Sequence, residues 1–457
     1  MLGGINMSGT ILVISCIIIS ILILIFLSIK IKLHPFFALT IAAISFGLMI
    51  GHNINDIIDS YTKGLGGTIA GIGVVIAIGT VMGALLEKSG AAETMAQTIL
   101  KITGKKHAPL GLAVTGYFVS IPVFCDSAFV LLAPLAKRLS RDTAISMTTM
   151  AIALAMGLHA THMLVPPTPG PLSVAGILGA DLGMVILLGM LISIPVVLVA
   201  FFAGKVLGKK YPLIAEEIAI EAKPEENRKR PGPLMAFLPI ILPIILMLLR
   251  TIASLDSQPL GNGIIFNILF SLGNTTVALL IGLIIAFMSY RNVLPHDRKV
   301  WTFDGEFGDA LKVAGQIVLI VGAGGAFATV LKMSDLQTIV THYFSGVSLG
   351  ILVPFIIGAI FRTAIGSGTV GMITAASMLL PLVNILGFNT PIGLVIAMLA
   401  CASGGFMVFH GNDDFFWVVT TTSGMPADIA YKVFPIISIL QAFTSLLCVY
   451  ILWVLFI

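Results

Sequence analysis

What most limits the folds open to this chain is its succession of uncharged apolar runs, several of them about 18 residues long or more. A run of that length matches a hydrocarbon core roughly 30 Å thick, where the backbone must satisfy its own polar groups as helix or closed barrel. Runs near 11–29, 35–50, 68–86, 144–158, 183–204, 234–249 and 272–290 read as spans. They are continuous rather than alternating, which selects helices. Only 10% of the 457 residues are charged and 58% are hydrophobic, against about 25% charged in soluble domains. The expected fold is an all-α polytopic membrane protein.

The loops orient those spans. Basic residues gather at 30–34, 101–107, 137–141, 205–233 and 291–299, and such loops face the cytoplasm. One path satisfies all of them. It starts outside and needs the stretch 109–139 to enter and leave from the cytoplasmic face. The first run has no basic residues before it and no small-residue cleavage site after it, so it reads as a retained span. The polar stretch 51–67 reads as a short surface helix, and 87–107 as an amphipathic one. Residues 205–233 form the one long charged segment, a linker between a membrane half at 1–204 and another at 234–457. No basic patch interleaved with aromatics suggests nucleic acid.

The stretch Ser120-Ile-Pro-Val-Phe-Cys-Asp-Ser-Ala-Phe-Val-Leu-Leu-Ala-Pro134 contradicts a plain span. Asp126 at bilayer depth costs about 2.5–3.5 kcal/mol on insertion scales. Pro122 and Pro134 argue against one unbroken helix. Irregular backbone at that depth survives where protein buries it or where it lines a cavity. A re-entrant hairpin near 109–139 follows, with Asp126 as a functional candidate.

The second half repeats the pattern. Gly79-Thr-Val-Met-Gly-Ala-Leu-Leu-Glu-Lys-Ser-Gly90 resembles Gly322-Ala-Gly-Gly-Ala-Phe-Ala-Thr-Val-Leu-Lys-Met-Ser-Asp335 in kind. The broken stretch matches Arg362-Thr-Ala-Ile-Gly-Ser-Gly-Thr-Val-Gly371, giving a second hairpin near 347–386. A polar break at 159–170, expected to leave 159–182 without regular helix, matches His410-Gly-Asn-Asp-Asp414. The topology puts the halves in opposite orientation, with about 10–12 transmembrane helices and two hairpins. Inverted repeats with interrupted helices mark secondary transporters, whose site lies where the breaks meet.

Candidate site residues follow from the breaks. Half-helices ending at Asp126 and Ser127, and at Ser367, Gly368 and Thr369, would aim backbone N–H groups and hydroxyls at an anion. The alternative is glycine for close packing, with hydroxyls bonding their own helices. Arg362 either holds a carboxylate bidentately or snorkels to the headgroups. His162 either accepts protons or is a structural hydrogen-bonder. Asn412 and Asp413 either handle ions or protons, or sit in an interfacial loop. The four cysteines lack metal-type spacing, and no metal or cofactor is expected. With no nucleotide-binding loop, transport would be driven by an ion or substrate gradient.

At these motifs the chain resembles the gluconate:proton symporter family of bacterial sugar-acid permeases. The resemblance runs through Gly104-Lys-Lys-His107, Phe-x-Asp-x-x-Phe-Val-Leu-x-x-Pro-Leu at 124–135, and Thr161-His162 with Pro-Pro-x-Pro-Gly-Pro at 166–171. It continues through Arg-x-Ala-x-Gly-Ser-x-Thr-Val at 362–370 and His-x-Asn-Asp with Phe-Trp at 410–417. It implies a multi-pass protein of the bacterial cytoplasmic membrane, importing gluconate or a related hydroxy-carboxylate with protons. It also implies the ion-transporter type of fold and a homodimer. Thr161 and Thr168 join the substrate-binding candidates through the matched motif, and Asp126, His162 and Asp413 become the proton-coupling candidates. Asp126 falls on the family's acidic position. Thr168 stands where histidine is frequent, and Gly411 and Asp414 depart from the usual pattern. D-serine or sodium coupling is the alternative, then an anion channel. No nucleophile or metal partner at recognisable spacing supports an intramembrane enzyme.

Overall fold

The structure is a computed structural model that describes residues 7–213, 229–254, 263–295, 297–335, 339, 350–411 and 413–457. Every regular element among them is helical. The first half runs α1 (Met7–Ile29), α2 (Pro35–Met49), α3 (Ile54–Lys88), α4 (Ala91–Thr103), α5 (Ala108–Val119), α6 (Cys125–Thr143), α7 (Met147–Leu164), α8 (Pro169–Leu178) and α9 (Leu182–Lys210). The second runs α10 (Pro233–Ala253), α11 (Ile264–Leu272), α12 (Thr275–Val293), α13 (Glu306–Leu331), α14 (Leu352–Ile365), α15 (Gly368–Leu379), α16 (Pro391–Gly404), α17 (Asp414–Ser423) and α18 (Ala427–Phe456). Short polar side chains start many of them: Asn53, Ser146, Asp181, Asn274 and Thr390 each accept a first-turn backbone N–H, which would otherwise be an orphan donor.

Among the described residues, α1, α3, α9, α10, α12, α13, α18 and the α7–α8 pair are long and apolar enough to cross a membrane, eight in all. Helices α2, α14, α15 and α16 are shorter and equally apolar. The eight stand against an expected 10–12 crossings, and of the shorter helices α14 and α15 fall in the expected second hairpin. Much of the expected linker, 214–228, lies outside the described residues, and α9 reaches six residues into the front of it, to Lys210.

Four expectations change in detail. The polar stretch 51–67 and the run 68–86 form a single 35-residue helix, α3. Gly64 serves packing instead of ending it: a Cβ there would lie 2.7 Å from the carbonyl oxygen of Gly325 on α13. The first-half polar break is confined to 165–168, between α7 and α8. Pro169 sits in the first turn of α8, where a missing N–H costs nothing. Pro134 lies inside a continuous α6, so the break in the expected first hairpin is 120–124 alone. The second break is Gly366–Ser367, between α14 and α15.

Helix α7 is the centre. Every one of its residues is buried, as a helix apolar on all sides must be. Helix α5 crosses it backbone to backbone, because a Cβ at Gly116 would lie 2.6 Å from Leu158 N and one at Gly157 would strike Ala113 O. In the second half α14 crosses α16 the same way. There a Cβ at Gly358 would strike Cys401 O, and one at Gly404 would strike Phe355 O. Small residues at such crossings let membrane helices gain van der Waals contact that lipid cannot replace.

Candidate functional site

One face of α3 carries both first-half breaks. A Cβ at Gly83 would strike Pro122 O, and one at Gly79 would lie 3.1 Å from Pro167 Cβ. The glycines therefore let two irregular segments lie against a single spanning helix. Helix α6 then begins at Cys125 with no side-chain cap, leaving its first-turn N–H groups as donors at the positive end of its dipole. In the second half Ser367 accepts from Val370 N at the head of α15. Asp413 accepts from Phe415 N, 2.8 Å away, at the head of α17.

These helix ends converge on one cavity of about 110 Å³. Cys125 and Asp126 come from α6, and His159, His162 and Met163 from α7. Arg362, Ser367, Gly368 and Thr369 come from the second hairpin, and Asp413, Asp414 and Phe415 from the last break. Arg362 is 1% exposed, which excludes snorkelling to the headgroups. Its guanidinium forms an ion pair with Asp413, donates from Nη1 to Gly366 O, and lies 5.7 Å from the centroid of Phe409. Asp126 Oδ1, His162 Nδ1 and Arg362 Nε are buried and meet no hydrogen-bond partner among the described residues. Unmet polar atoms are costly inside a protein, and these three belong to residues of one cavity.

The sequence pattern of GntP family permeases matches residues 12–456. The chain belongs to the GntP permease family. An uncharacterized permease of Haemophilus influenzae is 39% identical over 424 residues, spanning 89% of this chain and 85% of the relative. A gluconate permease of Pseudomonas aeruginosa is 32% identical over 419 residues, spanning 90% of each chain. The D-serine transporter DsdX of Escherichia coli is 31% identical over 433 residues, spanning 93% of this chain and 95% of that one. Among solved structures, the YdaH transporter of Alcanivorax borkumensis superposes with a TM-score of 0.64 at 14% identity, covering 93% of this chain and 98% of the other. That likeness carries the fold alone. This GntP-family chain is a multi-pass permease of the cytoplasmic membrane.

Of the residues singled out from sequence, the GntP-family fold brings Asp126, His162, Arg362, Ser367, Gly368, Thr369 and Asp413 to the cavity. Three others are placed elsewhere. Ser127 is outside the cavity lining, and its side chain lies on the Glu87 side of α6. Thr161 Oγ1 donates to Tyr117 O at 3.0 Å, tying α7 to α5. Thr168 Oγ1 donates to His162 O at 3.0 Å and Val165 O at 2.6 Å, serving carbonyls that the break frees. Asn412 lies outside the described residues. Gly411 makes room for Tyr431, whose hydroxyl a Cβ would strike.

Sequence reasoning passed over Cys125, Met163 and Phe415 in the lining, and Gln441 behind it. His159, one of the polar residues of the first break, is buried between Phe406 and Phe409, with centroids at 5.2 and 5.3 Å. It approaches Gln441 Oε1 at 3.5 Å, while Gln441 Nε2 donates to Met156 O at 3.1 Å. The signal for Gln441 was available: Ser438, Gln441 and Ser445 fall at helical spacing in an otherwise apolar α18.

Proposed function

We propose that this permease imports a small hydroxy-carboxylate of the gluconate type together with a proton. The observation that carries the reading is the buried Arg362–Asp413 pair in the cavity where the two hairpin tips meet. Among the described residues, Arg362 is the one permanent cation lining a cavity that also holds Asp126, Asp413 and Asp414. An arriving carboxylate competes with Asp413 for the guanidinium fork. The first-turn N–H groups of α6 and α15 and the Thr369 hydroxyl supply further donors. With three carboxylates facing one guanidinium, an added anion is repelled unless a proton enters with it. Asp126 is the group we assign to that proton, since one of its oxygens has no partner to compete. Asp413 is the alternative acceptor once the substrate displaces it, and His162 stands beside both. The inverted relation of the halves and a homodimeric assembly are part of the same proposal.

The test is uptake into proteoliposomes. With wild-type protein, a pH gradient drives gluconate above its equilibrium level, whereas a sodium gradient alone does not. Asp126→Asn keeps gluconate exchange between the two sides but loses pH-driven accumulation. Full accumulation by Asp126→Asn would refute the proton assignment, and sodium-driven accumulation would replace proton with cation coupling. Flux that never exceeds equilibrium would make the protein a channel.

The surplus acidity of the cavity favours one further substrate reading. An amino acid such as D-serine brings an ammonium that Asp126 or Asp414 could accept while Arg362 holds its carboxylate. Thermal stabilisation of the purified permease by gluconate but not D-serine selects the first reading, and the converse selects the second.

A further inference from the structure

A second cavity, of about 450 Å³, lies at the end of the molecule where the basic loops gather, between α5, the α6–α7 turn and α9. Lys106, His107, Lys205 and Lys209 line it, and among the described residues no acidic side chain does. The walls are apolar, formed by Phe201, Leu110 and Ile145 among others. Asp142, the nearby acid of the α6–α7 turn, is held by Lys105 at 3.1 Å. Lys205 Nζ lies 5.4 Å from the centroid of Phe201, a cation–π contact that keeps its charge at the groove edge.

The groove opens towards lipid. On α9 the lining residues 201, 205, 208 and 209 form one stripe, and Pro212 follows just past its end. Immediately beside it run Leu198, Phe202 and Val206, which are 40%, 60% and 66% exposed. An apolar stripe of that exposure on a spanning helix faces acyl chains. The groove thus has an apolar body against the bilayer and a cationic rim at its end.

From this geometry we propose that the groove holds an anionic phospholipid, its phosphate between Lys106, Lys205 and Lys209 and an acyl chain along Phe201 and Leu110. A neutral lipid would leave the cations unanswered, and a soluble anion would leave the apolar walls unfilled. Basic pockets at the cytoplasmic ends of membrane helices suit such headgroups.

Native mass spectrometry of the full chain, extracted from vesicles of equal phosphatidylglycerol and phosphatidylcholine, tests the idea. Wild-type protein should retain one phosphatidylglycerol. K106Q/K205Q/K209Q should bind it about a hundredfold more weakly. K101Q/R138Q/R141Q removes equal charge from the same end outside the groove and should stay within about threefold of wild type. Leu110→Trp, which keeps every charge and narrows the apolar body, should also release the lipid, so the test survives if the triple variant folds poorly. Equal loss in both triple variants would overturn the site in favour of general surface charge. Displacement of the lipid by millimolar inorganic phosphate would make it a free-anion site. Tighter lipid retention on neutralising Glu216, Glu217 and Glu221 would make the acidic linker the native occupant.

Discussion

The two broken helix pairs that the sequence suggests as hairpins place opposite chemistry beside their breaks. Hairpin one, α5–α6, turns through five residues, 120–124, without a positive φ, and brings the acid Asp126 into the first turn of its second helix. Hairpin two, α14–α15, turns through Gly366 and Ser367, with Gly366 at φ +87°, and folds a base, Arg362, back onto that turn. Both tips line the same cavity. The backbone supplies a common set of N–H donors, while the side chains divide the charges between the halves. Two dissimilar turns thereby bring opposite charges to one site.

The largest effect expected from breaking this division is at Arg362. Arg362→Gln leaves the partly buried Asp413 without its partner, a loss that costs up to about 3–5 kcal/mol when a pair is fully buried. We expect a lower unfolding temperature in detergent and no measurable gluconate uptake. Adding Asp413→Asn removes the orphaned charge and should recover most of the stability without restoring uptake. If the double variant transports, Arg362 is structural and the charge division is not functional. Arg362→Lys keeps the charge but loses the planar fork, so it should weaken substrate binding more than it weakens the fold.

Next in size are the crossings behind the hairpins. Gly157→Val in α7 and Gly404→Val in α16 each drive side-chain atoms into a facing backbone carbonyl, Ala113 O in one half and Phe355 O in the other. Overpacking of this kind costs about 1–3 kcal/mol. Thermal unfolding should fall by similar amounts in the two variants. A large drop in one and none in the other would mean that the two hairpins are not held alike.

Gly366→Ala has no counterpart in hairpin one and sharpens the contrast. The backbone at Gly366, φ +87° and ψ −42°, is one that an L side chain enters at a cost of about 1–3 kcal/mol. Because Gly366 O also accepts from Arg362, the same change should misplace the guanidinium and raise the KM for gluconate. Ser120→Ala, in the first turn, should leave KM unchanged.

Much of this site was legible because membrane depth makes polar residues and breakers conspicuous. Asp126, Arg362 and Asp413 stand out from apolar surroundings, and Pro122 and Gly366 mark the two turns. The crossings were less legible, since Gly116, Gly157, Gly358 and Gly404 look like any of the 47 glycines until their facing carbonyls are known. Prolines misled in both directions. Pro134 reads as a breaker yet lies within α6, and Pro169 reads as part of an irregular segment yet starts α8. Whether a proline breaks a helix depends on whether its neighbours absorb the freed carbonyl, which is a tertiary fact. Val408, at φ +47° in the last break, is a β-branched residue in a backbone region that its type does not forecast.

The smallest expected effect separates the two tips by their hydroxyls. Ser127 follows Asp126 in chain order and looks like a second donor to the substrate, as Thr369 does beside Gly368. The structure distinguishes them: Thr369 lines the cavity, whereas Ser127 does not. One hydrogen bond contributes about 1 kcal/mol, a factor of about five in affinity. Thr369→Ala should therefore raise the KM for gluconate about fivefold with little change in unfolding temperature. Ser127→Ala should leave KM near wild type, since that side chain is outside the cavity lining. Uptake kinetics and thermal unfolding on the same two preparations read both quantities. If Ser127→Ala raises KM as much as Thr369→Ala, the first tip turns its hydroxyl to the substrate during transport, and the hairpins are more alike in action than in this arrangement.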